Sequence, residues 1–426
     1  MKRNIGNLFI IACVFLTIVV WFVFPPEQDG RANFARQYAG EIIGSVNIVL
    51  MASALFLSTR PKWAEPYFGG LDKMYITHRH AATTAFLLIF VHVLTVPISV
   101  TSWKLGNYLA VIAFAGIVSI VLISLAPRIT YLNKLTGGTY EGWKNLKQYI
   151  GIFFIIAFIH SLTIGKPLNA FIAINWVQIF FIIGTVSYLY TEVFGRFLKK
   201  YLPYTVEAVK HPNTSTTEVT LRAKKDSIPA QRAGQFLFVR FPNDKTLNES
   251  HPFTISSAPH DDVLRVTIKT SGDFTRALFT NLKPGMDAVV EGAYGLFDYK
   301  TGGSKQIWLA GGIGLTPFLS FIRAMAGNLD QDINFYYTVR HQEEALYIDE
   351  IEAAAQKNPR LKVHIRYSAV DGSLNIDDIV KNAGGTVSDH DIYMCGPLPM
   401  VNAFEQKFLA LNVPANQIHY EEFNFR

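Results

Sequence analysis

Six apolar runs, each near the length needed to cross a bilayer, fill the first 200 residues: about 5–24, 40–58, 77–99, 106–126, 147–165 and 170–192. A span takes about 20 residues at 1.5 Å per residue. Backbone polar groups in hydrocarbon must be satisfied internally, so such a segment folds as a helix and the half as a helical bundle. The first run follows Lys2 and Arg3 but is followed by Pro25 and Pro26 rather than by small residues suited to cleavage, so it reads as a retained helix. With the N-terminus inside, 13 lysines and arginines fall on the inner side and 4 on the outer. That asymmetry puts both termini, and everything after residue 200, in the cytoplasm.

After residue 200 the chain changes character. Half of all residues are hydrophobic and 17% are charged, but charges, prolines and glycines concentrate in this second part. Short strand-like runs such as "YTVEAVKHP", "GQFLFVRFP" and "VLRVTIKT" over 201–299 point to a small antiparallel β-barrel. From 300 to 426 strand and helix patterns alternate, the signature of an α/β nucleotide-binding domain. The fold expected is a membrane bundle of six transmembrane helices over 1–200, then the barrel, then the α/β domain. The net charge of +6 belongs to membrane topology, since the basic residues form no patch among aromatics; no nucleic-acid partner and no obligate protein partner is expected. The two cysteines, Cys13 and Cys395, make neither a disulfide framework nor a cluster-binding spacing.

Histidines inside apolar runs are costly and mark function. His78 and His92 stand 14 residues apart on one helix, which returns to within about 40° of the same face and climbs about 21 Å. His160 lies deep in the fifth run, "GIFFIIAFIHSLTI". Histidines on two facing helices grip a haem iron from both sides; the plainer reading is interhelical hydrogen bonding. His80 lies well round the helix from His92. In the second half, "GGIGLTPFLSFIRAM" from Gly311 is a glycine loop opening a helix, suited to a pyrophosphate but also to an ordinary strand–helix turn.

With "HPFTISSAP" (251–259), "GGIGLTPFLS" and "YMCGP" at their spacings, nearly the whole chain resembles the NADPH oxidase and ferric reductase superfamily, most of all its compact bacterial NADPH oxidases. The resemblance implies FAD, NADPH and one or two b-type haems as cofactors in a bacterial cell membrane. It implies that His251, Pro252, Phe253 and Thr254 line the flavin, that Ser271, Gly272 and Thr275 hold the FAD pyrophosphate, and that Gly311, Gly312, Gly314 and Thr316 face the nucleotide phosphates. Cys395, Gly396 and Pro397 would approach the nicotinamide, and Phe423 would cover the flavin and give way for hydride transfer; Thr254, Cys395 and Phe423 are thus the catalytic candidates. A buried core thiol and a packing ring are the plainer readings of Cys395 and Phe423. Arg340, ending the strand "INFYYTV", suits a ribose 2′-phosphate and hence NADPH, unless it is a solvated strand-end charge.

The family pattern asks for two histidines on the fifth span. His160 matches the outer ligand, but the inner position, after "YEGW", is Lys147. Three outcomes stay open: a neutral lysine on iron, an inner haem held by His78 alone, or a single haem. The activity implied is electron transfer from cytoplasmic NADPH to an external acceptor, dioxygen first, a ferric chelate second and a quinone third. A nucleotide-gated proton or ion pathway is the rival from another class.

Overall fold

The computed structural model describes residues 4–28, 30, 32–98, 103–125, 145–164, 170–198, 201–224, 231–325 and 329–421. The chain divides into two compact units, residues 2–199 and 200–426.

The first unit is helical: α1 (Ile5–Val23), α2 (Phe34–Ser58), α3 (Leu71–Thr95), α4 (Leu105–Leu125), α5 (Ile150–Thr163) and α6 (Phe171–Leu189). Among the described residues, four helices, α1, α2, α4 and α6 with its π-helical continuation, are long and apolar enough to cross a membrane. On the outer surface of α1, Phe9, Phe15 and Phe22 stand 67%, 66% and 65% exposed. Such a row of rings suits lipid, not water. The third expected run is a helix, but it starts at Leu71 rather than 77, because Gly70 caps it and a helix does not stop where apolarity does. The fifth is shorter than expected: α5 begins at Ile150, and Asn145–Tyr149 before it form a 3-10 turn. Lys147 lies on that turn.

Val49 and Ala52 of α2, Phe154 of α5, and Val177, Phe180 and Phe181 of α6 form one buried cluster. Two indoles inside the unit are paired across helices. The Trp21 indole donates to Ser45 Oγ at 2.8 Å and the Trp176 indole to Thr17 Oγ1 at 2.9 Å. Such bonds join helices where no water competes.

The second unit has two sheets. β1 (Leu202–Asn213), β2 (Thr216–Ala223), β3 (Phe236–Arg240), β4 (His251–Thr254), β5 (Leu264–Lys269) and β6 (Asp287–Tyr294) make an antiparallel sheet in the order β4-β3-β6-β1-β2-β5. A single bridge between Ile255 and Val266 ties its two outer strands. Its core includes Tyr204, Val219, Leu237 and Val290, all fully buried. α7 (Asp273–Asn281) follows β5.

The second sheet is parallel: β7 (Lys305–Gly311), β8 (Asp332–Val339), β9 (Leu361–Tyr367), β10 (Asp391–Cys395) and β11 (Ile418–Glu421), ordered β11-β10-β7-β8-β9. The helices are α8 (Thr316–Ala324), α9 (Ile348–Lys357), α10 (Ile376–Asn382) and α11 (Leu398–Ala410). Alternate residues of each central strand enter opposite cores. Trp308, Ala310, Tyr393 and Cys395 face α8 and α9, while Ile307, Leu309, Ile392 and Met394 face α10 and α11. Strand order reverses between β7 and β10, and a doubly wound sheet binds its ligand outside the strand ends at that switch.

Candidate functional site

Each membrane histidine uses its ring in the same way. Nδ1 of His78 bonds the Ala54 carbonyl at 2.8 Å, Nδ1 of His92 the Gly40 carbonyl at 2.9 Å, and Nδ1 of His160 the Gly106 carbonyl at 2.8 Å. A carbonyl only accepts, so Nδ1 carries the proton and Nε2 keeps its lone pair. Among the described residues, Nε2 of these three rings makes no hydrogen bond. The plainer reading of the histidines, interhelical bonding, is therefore realised on one ring nitrogen and leaves the other free for a metal. A histidine held through Nδ1–H is how metal-ligating imidazoles are oriented and made more basic. The donor set fits haem iron.

The first two bonds share one register. α2 and α3 run antiparallel, and 78 pairs with 54 as 92 pairs with 40, so α2 supplies acceptors at the same 14-residue spacing as the rings. Glycine makes the outer approach possible: a Cβ on Gly44 would lie 3.0 Å from the His92 ring. His160 and His92 are near enough to interact electrostatically. His80 is exposed.

In the second unit the flavin motif forms β4, whose register sets Thr254 opposite Phe236 and Phe253 opposite Leu237. The His251 ring lies 3.8 Å from that of Phe274, and Phe253 and Phe274 are stacked at 6.3 Å. These rings join "HPFT" to "GDFT". Thr254 is 4% exposed and its Oγ1 has no hydrogen-bond partner among the described residues. An unpaired buried hydroxyl is costly unless a ligand satisfies it, so this edge fits the polar rim of a flavin. At the start of α7, the Ser271 and Gly272 amides both donate to Thr275 Oγ1, at 2.8 and 2.9 Å. What this helix end offers a pyrophosphate is therefore the Ser271 hydroxyl and the first-turn amides.

The switch point gathers the nucleotide candidates. A Cβ on Gly314 would meet the Cys395 carbonyl oxygen at 2.2 Å, and one on Gly396 the Gly311 Cα at 3.0 Å. Gly312 has φ +55° with open space above it, and Thr316 is buried with Oγ1 donating to the Ile313 carbonyl at 3.2 Å. Only glycines allow this contact between two strand ends, and the cradle fits a pyrophosphate. Cys395 is fully buried in the core beside Leu315 and Phe318, so the strand end presents Gly396 and Pro397 rather than the thiol. Arg340 is exposed at the end of β8. Phe423 lies outside the described residues. Glu421, two residues before it, pairs with Cys395, and its Oε1 would be 3.3 Å from a Cβ on Gly295, which also faces Phe236.

Sequence reasoning missed a buried network between the two sheets. Arg323 on α8 donates to both Glu350 oxygens at 2.7 and 2.9 Å and to the Ser256 carbonyl at 2.8 Å. Burial alone would lower the guanidinium's pKa, but its hydrogen bonds to Glu350 and the charges of Glu350 and Glu218 hold it above its ordinary value. Tyr347 donates to Glu218 Oε2 at 2.8 Å, and burial pushes its phenol up. An arginine at the far end of a glycine-loop helix carries no periodic signal that separates it from a solvated charge.

Three family models match the chain: "Ferric reductase like transmembrane component" over residues 43–106, "FAD-binding domain" over 201–302 and "Oxidoreductase NAD-binding domain" over 308–406. The chain is 28% identical over 227 residues to the ferredoxin reductase component of 3-ketosteroid-9-alpha-monooxygenase from Rhodococcus rhodochrous, covering 52% of this chain and 64% of that protein. It is 26% identical to a flavohemoprotein of Chromobacterium violaceum, covering 46% and 54% respectively. The chain thus spans between about half and two thirds of the length of these curated relatives. A flavohemoglobin structure from Malassezia yamatoensis, with bound FAD and heme, aligns with TM-score 0.52 and 16% identity over 92% of this chain and 98% of that one, a likeness of fold alone.

The matches place a ferric-reductase-like membrane component ahead of FAD- and NAD-binding domains of the oxidoreductase kind. The chain's architecture is that of the ferric reductases and NADPH oxidases, with a ferredoxin-reductase-like module.

Proposed function

We propose that this protein takes electrons from NADPH in the cytoplasm and delivers them across a bacterial cell membrane to an external acceptor, dioxygen, giving superoxide. The observation that carries this reading is the shared geometry of His78, His92 and His160, each fixed through Nδ1 with Nε2 free. Six spans divide the membrane, with 1–200 as the haem domain, 201–299 as the FAD-binding barrel and 300–426 as the NADPH-binding domain. His92 and His160 would hold an outer b-type haem, and His78 would be the histidine for an inner one. FAD, when bound, divides a hydride's electron pair into single electrons.

The chain's own residues do the positioning. Thr254 Oγ1 would donate to the flavin's polar edge while Pro252 and Phe253 would wall it. Gly311, Gly312 and Gly314 let the nucleotide approach the backbone, and Gly396 and Pro397 close the other side. Phe423, outside the described residues, is the candidate ring that would cover the flavin and give way to the nicotinamide. Turnover with NADPH under air, then anaerobically with a ferric chelate, tests the acceptor. Dismutase-sensitive dye reduction is expected. Chelate reduction without any dismutase-sensitive signal would move the protein to ferric reduction, and no b-type band on reduction would end the haem reading.

Cofactor choice rests on Arg340. Arg340→Ala is expected to raise the KM for NADPH about ten- to a hundredfold, the worth of a charge-assisted contact of about 1.5–3 kcal/mol, with NADH little changed. Equal loss with both nucleotides rejects the assignment.

A further inference from the structure

The helix α8 joins the two sheets of the second unit. α8 begins at the glycine loop, where the nucleotide phosphates are proposed to lie. Four residues into the helix, Ser320 Oγ donates to the Ser257 carbonyl at 2.8 Å; three residues later, Arg323 donates to the Ser256 carbonyl at 2.8 Å. Ser256 and Ser257 follow the flavin strand after one residue, since β4 ends at Thr254. The helix that starts at one cofactor site is therefore fastened to the backbone leaving the other.

The fastening is built, not incidental. The Arg323 side chain is 9% exposed, as is Glu218, which approaches it at 3.7 Å. Glu350 grips the guanidinium with both oxygens at 2.7 and 2.9 Å. Tyr347 lies against it, 5.1 Å from ring centre to guanidinium carbon, and its hydroxyl continues through Thr267 Oγ1 at 3.2 Å to Ser256 Oγ at 3.1 Å. Tyr347 holds φ +55° to do so, a conformation a bulky residue adopts only where its surroundings hold it there. A buried charge needs such complete pairing, and a planar five-donor fork is what meets a carboxylate and a carbonyl together.

We propose that Arg323 is a positioning residue for hydride transfer, setting the separation between the glycine loop and the flavin strand. This rests on the reading above, in which NADPH is oxidised to NADP+ as the flavin takes the hydride. Reacting atoms must sit about 3–3.5 Å apart, and a misplacement of about 1 Å costs up to a hundredfold. The glycine loop itself is untouched by the change, so binding and chemistry separate.

The test uses the full-length, FAD-loaded protein. In Arg323→Met, stopped-flow flavin reduction per bound FAD is expected to fall about ten- to a hundredfold, while the KM for NADPH stays near wild type. Arg323→Lys recovers part of the rate. Amide hydrogen exchange over residues 255–258 quickens in Arg323→Met, a readout independent of turnover. If Arg323→Met loses FAD, Glu350→Gln replaces it and is expected to slow reduction with FAD retained. A variant that retains FAD yet reduces it within twofold of the wild-type rate overturns the proposal. Wild-type flavin that neither NADPH nor NADH reduces overturns the functional reading and this inference together.

Discussion

His92→Ala is expected to abolish the outer haem and to cut electron delivery to any external acceptor by at least about a hundredfold, while NADPH still reduces the flavin. Loss of a partner that merely orients a ligand costs about ten- to a hundredfold in affinity or activity, and here the ligand itself goes. His92 lies on α3, far in sequence from the reductase module, so the nucleotide and flavin sites are left intact. Its partner His160 should behave alike. His78→Ala should spare the outer centre, because 14 residues along a helix put the two rings about 21 Å apart. The measurement is haem per chain by pyridine haemochrome beside stopped-flow flavin reduction. Unchanged haem in His92→Ala would show that Nε2 of this ring does not face iron.

The histidine result shows where the sequence was sufficient and where it was not. Periodicity placed His78 and His92 on one face, because helix geometry is fixed by the chain itself. It did not reveal Ala54, Gly40 and Gly106, since a carbonyl acceptor is chosen by how two helices slide past each other; Gly40, Gly44 and Gly106 were the available hint, as small residues mark close helix approach. Helix ends were also misjudged. α3 starts at Leu71 and α5 at Ile150, because apolarity reports the lipid and not the hydrogen-bond ladder. In the second unit the ten strands through β10 were each legible from alternation or from apolar runs into glycine. β11 was not: "IHYE" is four residues long and owes its conformation to pairing with β10. The Arg323 network was invisible for the same reason, being made of six residues from five separated segments.

Gly314→Ala is expected to damage the nucleotide domain more than any other single methyl at the switch point. Its added Cβ would lie 2.2 Å from the Cys395 oxygen, 2.5 Å from the Cys395 carbonyl carbon and 2.7 Å from the Gly396 Cα. All three are backbone atoms, held by the β7–β10 ladder that pairs Cys395 with Ala310, so no side chain can swing aside. Relief requires the two strand ends to part, which overpacks the Leu315 and Phe318 core beneath. Overpacking of this kind costs about 3 kcal/mol, or roughly 6–12 °C in the melting temperature of a unit of this size. Gly312→Ala is the contrasting case. Its φ of +55° makes a side chain strained, at about 1–2 kcal/mol, but nothing lies within 4 Å of the new Cβ. Gly312→Ala should therefore fold, lose a smaller part of its stability, and raise the KM for NADPH by filling the space a phosphate would use. Thermal melting and nucleotide KM, measured on both variants, separate the two causes. A Gly314→Ala protein that melts with the wild type would mean that the glycine loop and the end of β10 do not meet as closely as 2.2 Å implies, and the cradle assigned to the nucleotide would have to be sought further along the sheet.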